Sequence, residues 1–209
     1  MHIIAVVVTF NRLPLLQRNL ECLRANRGVS HIVVVNNGST DGTADYLATL
    51  PAAHFTIITQ ANVGGAGGFH RGMSEAMQQG AEWIWCMDDD VFPRPDCLEH
   101  LLPYTADARY GILAPRRLMD GRIYTNDFTA YNLTNPFASL YKGKLASCPP
   151  TEPTEIAGTA FEGPLIRREV VEKIGLPNRE LFIFCDDTDY CLRTVRAGFR
   201  ILSVPAALM

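Results

Sequence analysis

Three consecutive carboxylates, Asp88-Asp89-Asp90, follow directly on the apolar run Trp83 to Met87. Like charges a few ångströms apart raise one another's pKa unless a cation intervenes. A hard divalent ion resolves that conflict, and Mg2+ or Mn2+ is characteristically held by one or two carboxylates together with substrate phosphates. The triple therefore reads as a site for a metal and a diphosphate. A solvated turn that caps the next helix is the plain alternative.

A second acidic cluster, Asp186-Asp187-x-Asp189, stands at the expected start of a helix that begins at Asp186 or Asp187, runs to Ala197 and is closed by Gly198. Carboxylates at a helix N-terminus are stabilised by its dipole and can cap free N–H groups. One cap needs one carboxylate, however, and the preceding Phe182-Ile183-Phe184 gives the pair a partly apolar setting suited to a general base. From the residues alone, both readings stand.

The segment Asn62-Val63-Gly64-Gly65-Ala66-Gly67-Gly68 precedes a helix expected from Phe69, with Met73, Ala76 and Met77 on one face up to Gly80. It matches neither a P-loop nor a dinucleotide fingerprint. Its glycines offer close backbone approach and N–H groups to an anion such as a diphosphate, or to a sugar. No basic residue lies within Val63 to Phe69, which ranks a nucleotidyltransferase, with its need for a cation on the triphosphate, below other readings.

These loops need strands to hold them. His2 to Thr9, His31 to Asn36, Phe55 to Thr59 and Trp83 to Met87 read as buried strands. Between them, Leu16, Leu20 and Leu23 recur at helical spacing after Pro14, and Thr43 to Leu50 reads as a short helix. Such alternation predicts an α/β chain with a Rossmann-like, mostly parallel sheet flanked by helices, whose ligands bind beyond the carboxyl ends of the strands. In the second half, a strand at Gly111 to Ala114 precedes an irregular stretch, Asn126 to Pro153, whose length predicts a functional flap. Order returns with Gly158 to Ile166, a helix from Arg168 to Ile174, the run Leu181 to Cys185 and a strand from Phe199 to Val204.

With 209 residues, 47% of them apolar, the chain can fill a core, and 22 acidic against 19 basic side chains leave a net charge of −3. No basic field is offered to nucleic acid, so a polyanion-binding module is excluded. The aliphatic run Ile3 to Val8 is far short of the ~20 residues that span a bilayer, which predicts a soluble chain. Six cysteines (22, 86, 97, 148, 185 and 191) form no C-x-x-C pair and suit reduced thiols in a cytosolic core. His2, His31 and His54 read as boundary residues and Trp83 and Trp85 as sheet packing. Tyr131, Phe137 and Tyr141 either stack on acceptor sugars or anchor their loop.

In order, the motifs TFNR (9–12), NNGSTDGT (36–43), N-x-G-G-A-G-G-F (62–69), DDD (88–90) and FCDDTDYCLRTVRAGFRI (184–201) span nearly the whole chain. The succession resembles family 2 glycosyltransferases with the GT-A fold, above all bacterial galactofuranosyltransferases and their rhamnosyltransferase relatives. The resemblance implies one GT-A domain over 1–209, with a nucleotide-sugar-binding half (1–115) and an acceptor-binding half (116–209). Relatives supply a histidine metal ligand beyond the last motif, and no histidine follows His100, so the second half is expected to be truncated at its C-terminus.

By the same resemblance, Thr9, Asn11, Arg12, Asn37, Asn62, Gly64, Gly65, Asp88 and Asp89 bind the nucleotide sugar. Asp88 and Asp90 hold Mn2+ or Mg2+, and Asp187 is the catalytic base of an inverting transfer. The donor implied is UDP-galactofuranose, with dTDP-rhamnose next. The acceptor is a cell-envelope or capsular glycan, lipid-linked, which would bring a cytoplasmic protein to the inner face of the membrane as a peripheral partner. A catalytically silent nucleotide-sugar- or glycan-binding domain is the rival reading, and the retention of both acidic clusters speaks against it.

Overall fold

A computed structural model describes residues 1–124, 129–132, 135, 137, 141–144 and 150–209. Strand β1 (Ile3–Thr9) is buried along its whole length. A strand covered on both faces must be apolar at every position, which is why the run shows no polar alternation. Ile3, Ala5 and Val7 pack on one side with Leu16, Leu20 and Leu23 of helix α1 (Leu13–Ala25). Ile4, Val6 and Val8 pack on the other with Phe69, Met73 and Ala76 of helix α3 (Gly64–Gln78).

Strands β2 (Val29–Asn36), β3 (Phe55–Thr59) and β4 (Trp83–Asp88) lie parallel to β1, in the spatial order β4-β1-β2-β3. Helix α2 (Thr43–Ala48) links β2 to β3. Each expected strand of this half is present, and the turn-rich loops all emerge at one sheet edge.

Helix α3 departs from expectation. It begins at Gly64 rather than Phe69, so five of the residues expected as loop, Gly64 to Gly68, lie in its first turns. A Cβ on Gly68 would run into Val8, and one on Gly72 into Val6. The glycines thus let the helix settle directly on β1, and that contact offsets their poor helix propensity.

After β4 come a short helix α4 (Cys97–Leu101) and strand β5 (Tyr110–Arg116). Strands β6 (Leu118–Met119) and β7 (Arg122–Ile123) form a small hairpin. Its turn, Asp120-Gly121, has positive φ at both residues, the geometry that favours Asp-Gly in two-residue hairpins. Strands β8 (Thr129–Tyr131) and β9 (Tyr141–Lys144) pair antiparallel. Of the expected flap, residues 126–128, 133–134, 136, 138–140 and 145–149, with Cys148, and the side chain of Tyr141 lie outside the described residues.

The large sheet is completed by β10 (Thr154–Ile156), β11 (Leu165–Arg167) and β12 (Arg200–Leu208), giving eight strands in the order β10-β12-β5-β11-β4-β1-β2-β3. Only the end of the run Gly158 to Ile166 becomes strand, and β11 runs antiparallel to both β4 and β5. Helices α5 (Arg168–Ile174) and α6 (Asp186–Arg196) cover the face shared with α3. Leu181 closes a 3-10 turn (Arg179–Leu181), and Phe182 to Cys185 form turns and bends that lead into α6.

Cys86, Cys97 and Cys191 are buried, Cys22 partly so and Cys185 exposed, all as free thiols. Among the described residues no helix is long and apolar enough to cross a membrane.

Candidate active site

The ends of β1, β2 and β4 open into a cleft of about 480 Å3, closed on its far side by Ala160 to Glu162 and by the start of α6. Parallel pairing sets this up, because Val8 lies opposite both Val35 and Asp88, so the residues after each strand converge. Of the residues expected to bind nucleotide sugar, Thr9, Arg12, Asn37, Asn62, Gly64, Gly65, Asp88 and Asp89 all line this cleft, and so does Asp187.

Two expected residues do not line it. Asn11, with φ 53, uses its side-chain oxygen to accept from the Thr40 N–H at 2.7 Å, tying the β1–α1 loop to the β2–α2 loop. Asp90 is exposed and accepts from Arg12 Nη1 at 2.6 Å. Asp89 is buried instead, accepting from the Thr9 hydroxyl at 2.7 Å, with Arg12 Nη1 3.5 Å from its other oxygen. The three carboxylates therefore occupy different environments. Asp88 faces the cleft, Asp89 braces β1 against β4, and Asp90 holds Arg12.

At the end of β2, Asn37 is buried with both ends of its amide engaged: Nδ2 donates to the Gly64 carbonyl at 3.0 Å and Oδ1 accepts from Gln60 Nε2 at 2.8 Å. Asn62 Oδ1 accepts the Gly64 N–H at 2.9 Å. Gly64 itself has φ +76 and carries the carbonyl of Phe182 where a Cβ would stand, so only glycine fits.

The opposite wall holds residues without a motif signature. Gly163 N–H donates to the Cys86 carbonyl at 2.8 Å and Cys86 N–H to the Pro164 carbonyl at 3.0 Å, which pins the loop before β11 to β4 and brings Glu162 into the cleft. Glu162 is ion-paired with Arg117. Phe161 packs between Phe69, at 4.7 Å between ring centroids, and Tyr190, at 5.7 Å. The sole sequence signal for Glu162 was one charge inside an otherwise apolar run.

Helix α6 opens with Asp186 and Asp187. Asp187 Oδ1 accepts from the Thr188 N–H at 2.5 Å and the Thr188 hydroxyl at 3.2 Å. Asp189 instead pairs with Arg193 at 2.8 Å along the helix. The cluster thus divides between helix-terminal bonding and cleft lining.

Burial raises the carboxyls of Asp186 and Asp187 above their ordinary range, the bonds from Thr188 opposing the rise at Asp187. Asp88 is pushed up to about 8, first by burial and then by Asp90, Asp89, Glu162 and Asp186. A site that protonates its own carboxylate is one where an added cation would be strongly favoured. Among the described residues, no three His, Cys, Asp or Glu side chains are arranged to hold a metal ion. The donor set fits a divalent ion that shares one or two carboxylates with a diphosphate, rather than one caged by protein alone.

Comparison with known proteins gives this arrangement a family. The sequence model described as glycosyl transferase family 2 matches residues 4–175. The galactofuranosyltransferase GlfT1 of Mycobacterium tuberculosis is 34% identical over 206 residues, which cover 94% of this chain and 65% of that protein. The dTDP-rhamnosyl transferase RfbF of Shigella flexneri is 27% identical over 206 residues, 98% of this chain and 67% of its own. The chain thus spans about two thirds of the length of these relatives.

Among solved structures, a mannosyltransferase of Pyrobaculum calidifontis, PcManGT, in complex with GDP-Man and Mn2+, superposes with TM-score 0.70 at 19% identity. That match covers 99% of this chain and 55% of the other. GalNAc-T7 with UDP, GalNAc and Mn2+ gives TM-score 0.77 at 16% identity, over 100% of this chain and 43% of its own. The architecture is therefore the GT-A fold that the sequence motifs led us to expect.

Proposed function

The chain belongs to glycosyl transferase family 2, and from that membership we propose that it carries the donor-binding and catalytic part of an inverting glycosyltransferase acting on a cell-envelope or capsular glycan. The observation that carries this reading is the placement of Asp88 and Asp187, from opposite halves of the sequence, in one cleft.

In this reading the nucleoside enters against Thr9, Asn37, Asn62, Gly64 and Gly65, and the diphosphate lies near Asp88, Asp89 and Arg12. The acceptor hydroxyl gives its proton to Asp187 while its oxygen bonds to the anomeric carbon. The bond from that carbon to the diphosphate oxygen breaks, and the nucleoside diphosphate leaves. Because Thr188 occupies Oδ1 of Asp187, the proton goes to Oδ2. Burial makes this carboxylate a better proton acceptor than an exposed aspartate. Mn2+ or Mg2+ held by Asp88, and by Asp90 once Arg12 yields it, would neutralise the charge that builds on the leaving diphosphate.

Relatives named as galactofuranosyl- and rhamnosyltransferases support UDP-galactofuranose as donor, with dTDP-rhamnose as the alternative. A lipid-linked acceptor would place the protein at the cytoplasmic face of the membrane. The test is transfer from each donor, with Mn2+ and with EDTA, to glycan acceptors ending in galactofuranose or rhamnose. Transfer from UDP-galactofuranose that EDTA abolishes supports the full reading. Tight donor binding with no transfer to any acceptor would make the protein a nucleotide-sugar-binding domain instead.

A further inference from the structure

At the mouth of the cleft, three consecutive large apolar residues face water: Phe182 is 51% exposed, Ile183 59% and Phe184 77%. Clustered exposed apolar side chains of this kind mark a surface that something else covers. The backbone that presents them is strained. Phe182 has φ 59 and ψ −68, and the Ile183 N–H donates to the Leu181 carbonyl at 2.7 Å, which makes a γ-turn of the rare positive-φ kind. Cys185, at φ 65, is in the left-handed region immediately before α6.

Unfavourable backbone states persist only where the surroundings over-determine them, and they gather at functional sites. Here the Phe182 carbonyl accepts the Ala66 N–H at 3.0 Å and fills the space above Gly64. The segment is therefore clamped between the start of α3 and the start of α6, and it holds Ile183 and Phe184 outward as a fixed ledge.

What covers the ledge is constrained by its neighbours. Phe184 comes three residues before Asp187, and both line the cleft together with Asp186 and Glu162. Away from any metal ion, Asp186 and Asp187 disfavour an anionic ligand or an anionic lipid surface at the ledge, Glu162 being offset by Arg117. They accept hydrogen bonds from neutral hydroxyls. A sugar ring matches both halves of this surface, since one of its faces carries C–H groups that lie on an aromatic ring while its rim carries hydroxyls.

We propose that Ile183 and Phe184 form a platform for a neutral sugar ring of the acceptor glycan, which sets the attacking hydroxyl at Asp187. The proposal rests on the glycosyltransferase reading above and adds to it a residue that selects the acceptor rather than the donor.

The experiment compares the parent with Phe184→Ala, Phe184→Tyr and Phe184→Leu. The expected result is an acceptor KM raised roughly three- to tenfold in Phe184→Ala, an unchanged donor KM, and rescue by Tyr but not by Leu, since Leu keeps the apolar surface and loses the flat face. Because Phe184 is exposed, melting temperatures should stay together. A readout independent of turnover is saturation-transfer NMR with methyl β-D-galactofuranoside and methyl α-L-rhamnoside. Signal on the sugar C–H protons should be present in the parent and weakened in Phe184→Ala, while the UDP signal persists.

If the parent transfers no sugar yet shows this Phe184-dependent signal, the platform stands and the enzymatic reading falls. An acceptor KM and a sugar signal both unaffected by Phe184→Ala would overturn the platform. So would a rise confined to the donor KM, which would assign Phe184 to the donor. Phe184-dependent binding to phosphatidylcholine vesicles with an unchanged acceptor KM would make the ledge a membrane contact and overturn it as well.

Discussion

Gly64 and Phe182 share one volume: the carbonyl of Phe182 stands where a Cβ on Gly64 would be, and the same oxygen accepts the Ala66 N–H at 3.0 Å. The first turn of α3 and the segment before α6 are therefore locked together by a glycine that is also at φ +76. Gly64→Ala should destabilise by about 1–3 kcal/mol, a drop of several degrees in melting temperature. Gly65→Ala meets open space at a residue without positive φ and should hold or slightly raise the melting temperature. Thermal denaturation of both variants checks the pair, and equal melting temperatures would refute the lock.

Replacing Asp187 with Asn preserves an oxygen for Thr188 but removes the proton acceptor. Sugar transfer at saturating donor should fall by ~10²–10⁴, the range typical of a lost general base. Nucleotide affinity should stay near the parental value. Asp189→Asn is the control, because its i,i+4 pair with Arg193 should contribute only about 0.3–0.5 kcal/mol of stability and nothing to rate. Parental turnover in Asp187→Asn, accompanied by early melting, would reduce the carboxylate to a helix cap.

The raised pKa of Asp88, about 8, has a defined sign in stability. The folded protein keeps a proton that the unfolded chain releases near its ordinary value of about 3.9. The resulting preference for the folded state is full below about pH 4 and is lost as pH rises through about 8. Without metal, the parent's melting temperature should thus decline from about pH 5 to 8 relative to Asp88→Asn. His31, whose pKa burial lowers, is common to both proteins and drops out of the difference. Mn2+ affinity in the presence of UDP should rise over the same interval, since the ion needs the carboxylate. A difference curve flat with pH would contradict this placement of Asp88.

Arg12 competes with any cation for Asp90, to which it is bonded at 2.6 Å. Arg12→Gln should release that carboxylate and tighten Mn2+ binding roughly two- to fivefold, while weakening metal-free UDP by a similar factor. Opposite signs for metal and nucleotide are the diagnostic outcome, and calorimetry with each ligand separately measures them. Parallel losses for both would show that Arg12 and the ion do not compete.

How far the sequence foretold this site depends on chain distance. Thr9, Asn37 and Asp88 follow β-branched or aromatic runs, so their place beyond parallel strands could be read from local pattern alone. The start of helix α3 was harder, because glycine's low helix propensity hid first turns whose stability comes from contact with β1, Gly68 lying on Val8. The lone charge of Glu162 in an apolar run could be noticed, but its place in the cleft could not be read. Its position depends on β11 reversing direction between β4 and β5, a pairing that no local periodicity records. The outward turn of Phe182 to Phe184 was hidden for a related reason, since an apolar run before a helix ordinarily signals burial.

The reversed strand also bears on how the protein is made. On the ribosome, β4 emerges with β1 on one side and nothing on the other, for its second neighbour is Leu165–Arg167, with Leu165 pairing to Trp85. At about 5–20 residues per second, the unpaired edge with Trp83, Ile84 and Trp85 waits for seconds as a sticky β-template. Nascent chains stalled or cleaved before Ile166 should therefore aggregate rather than fold, and the cell would need a chaperone at that edge during synthesis.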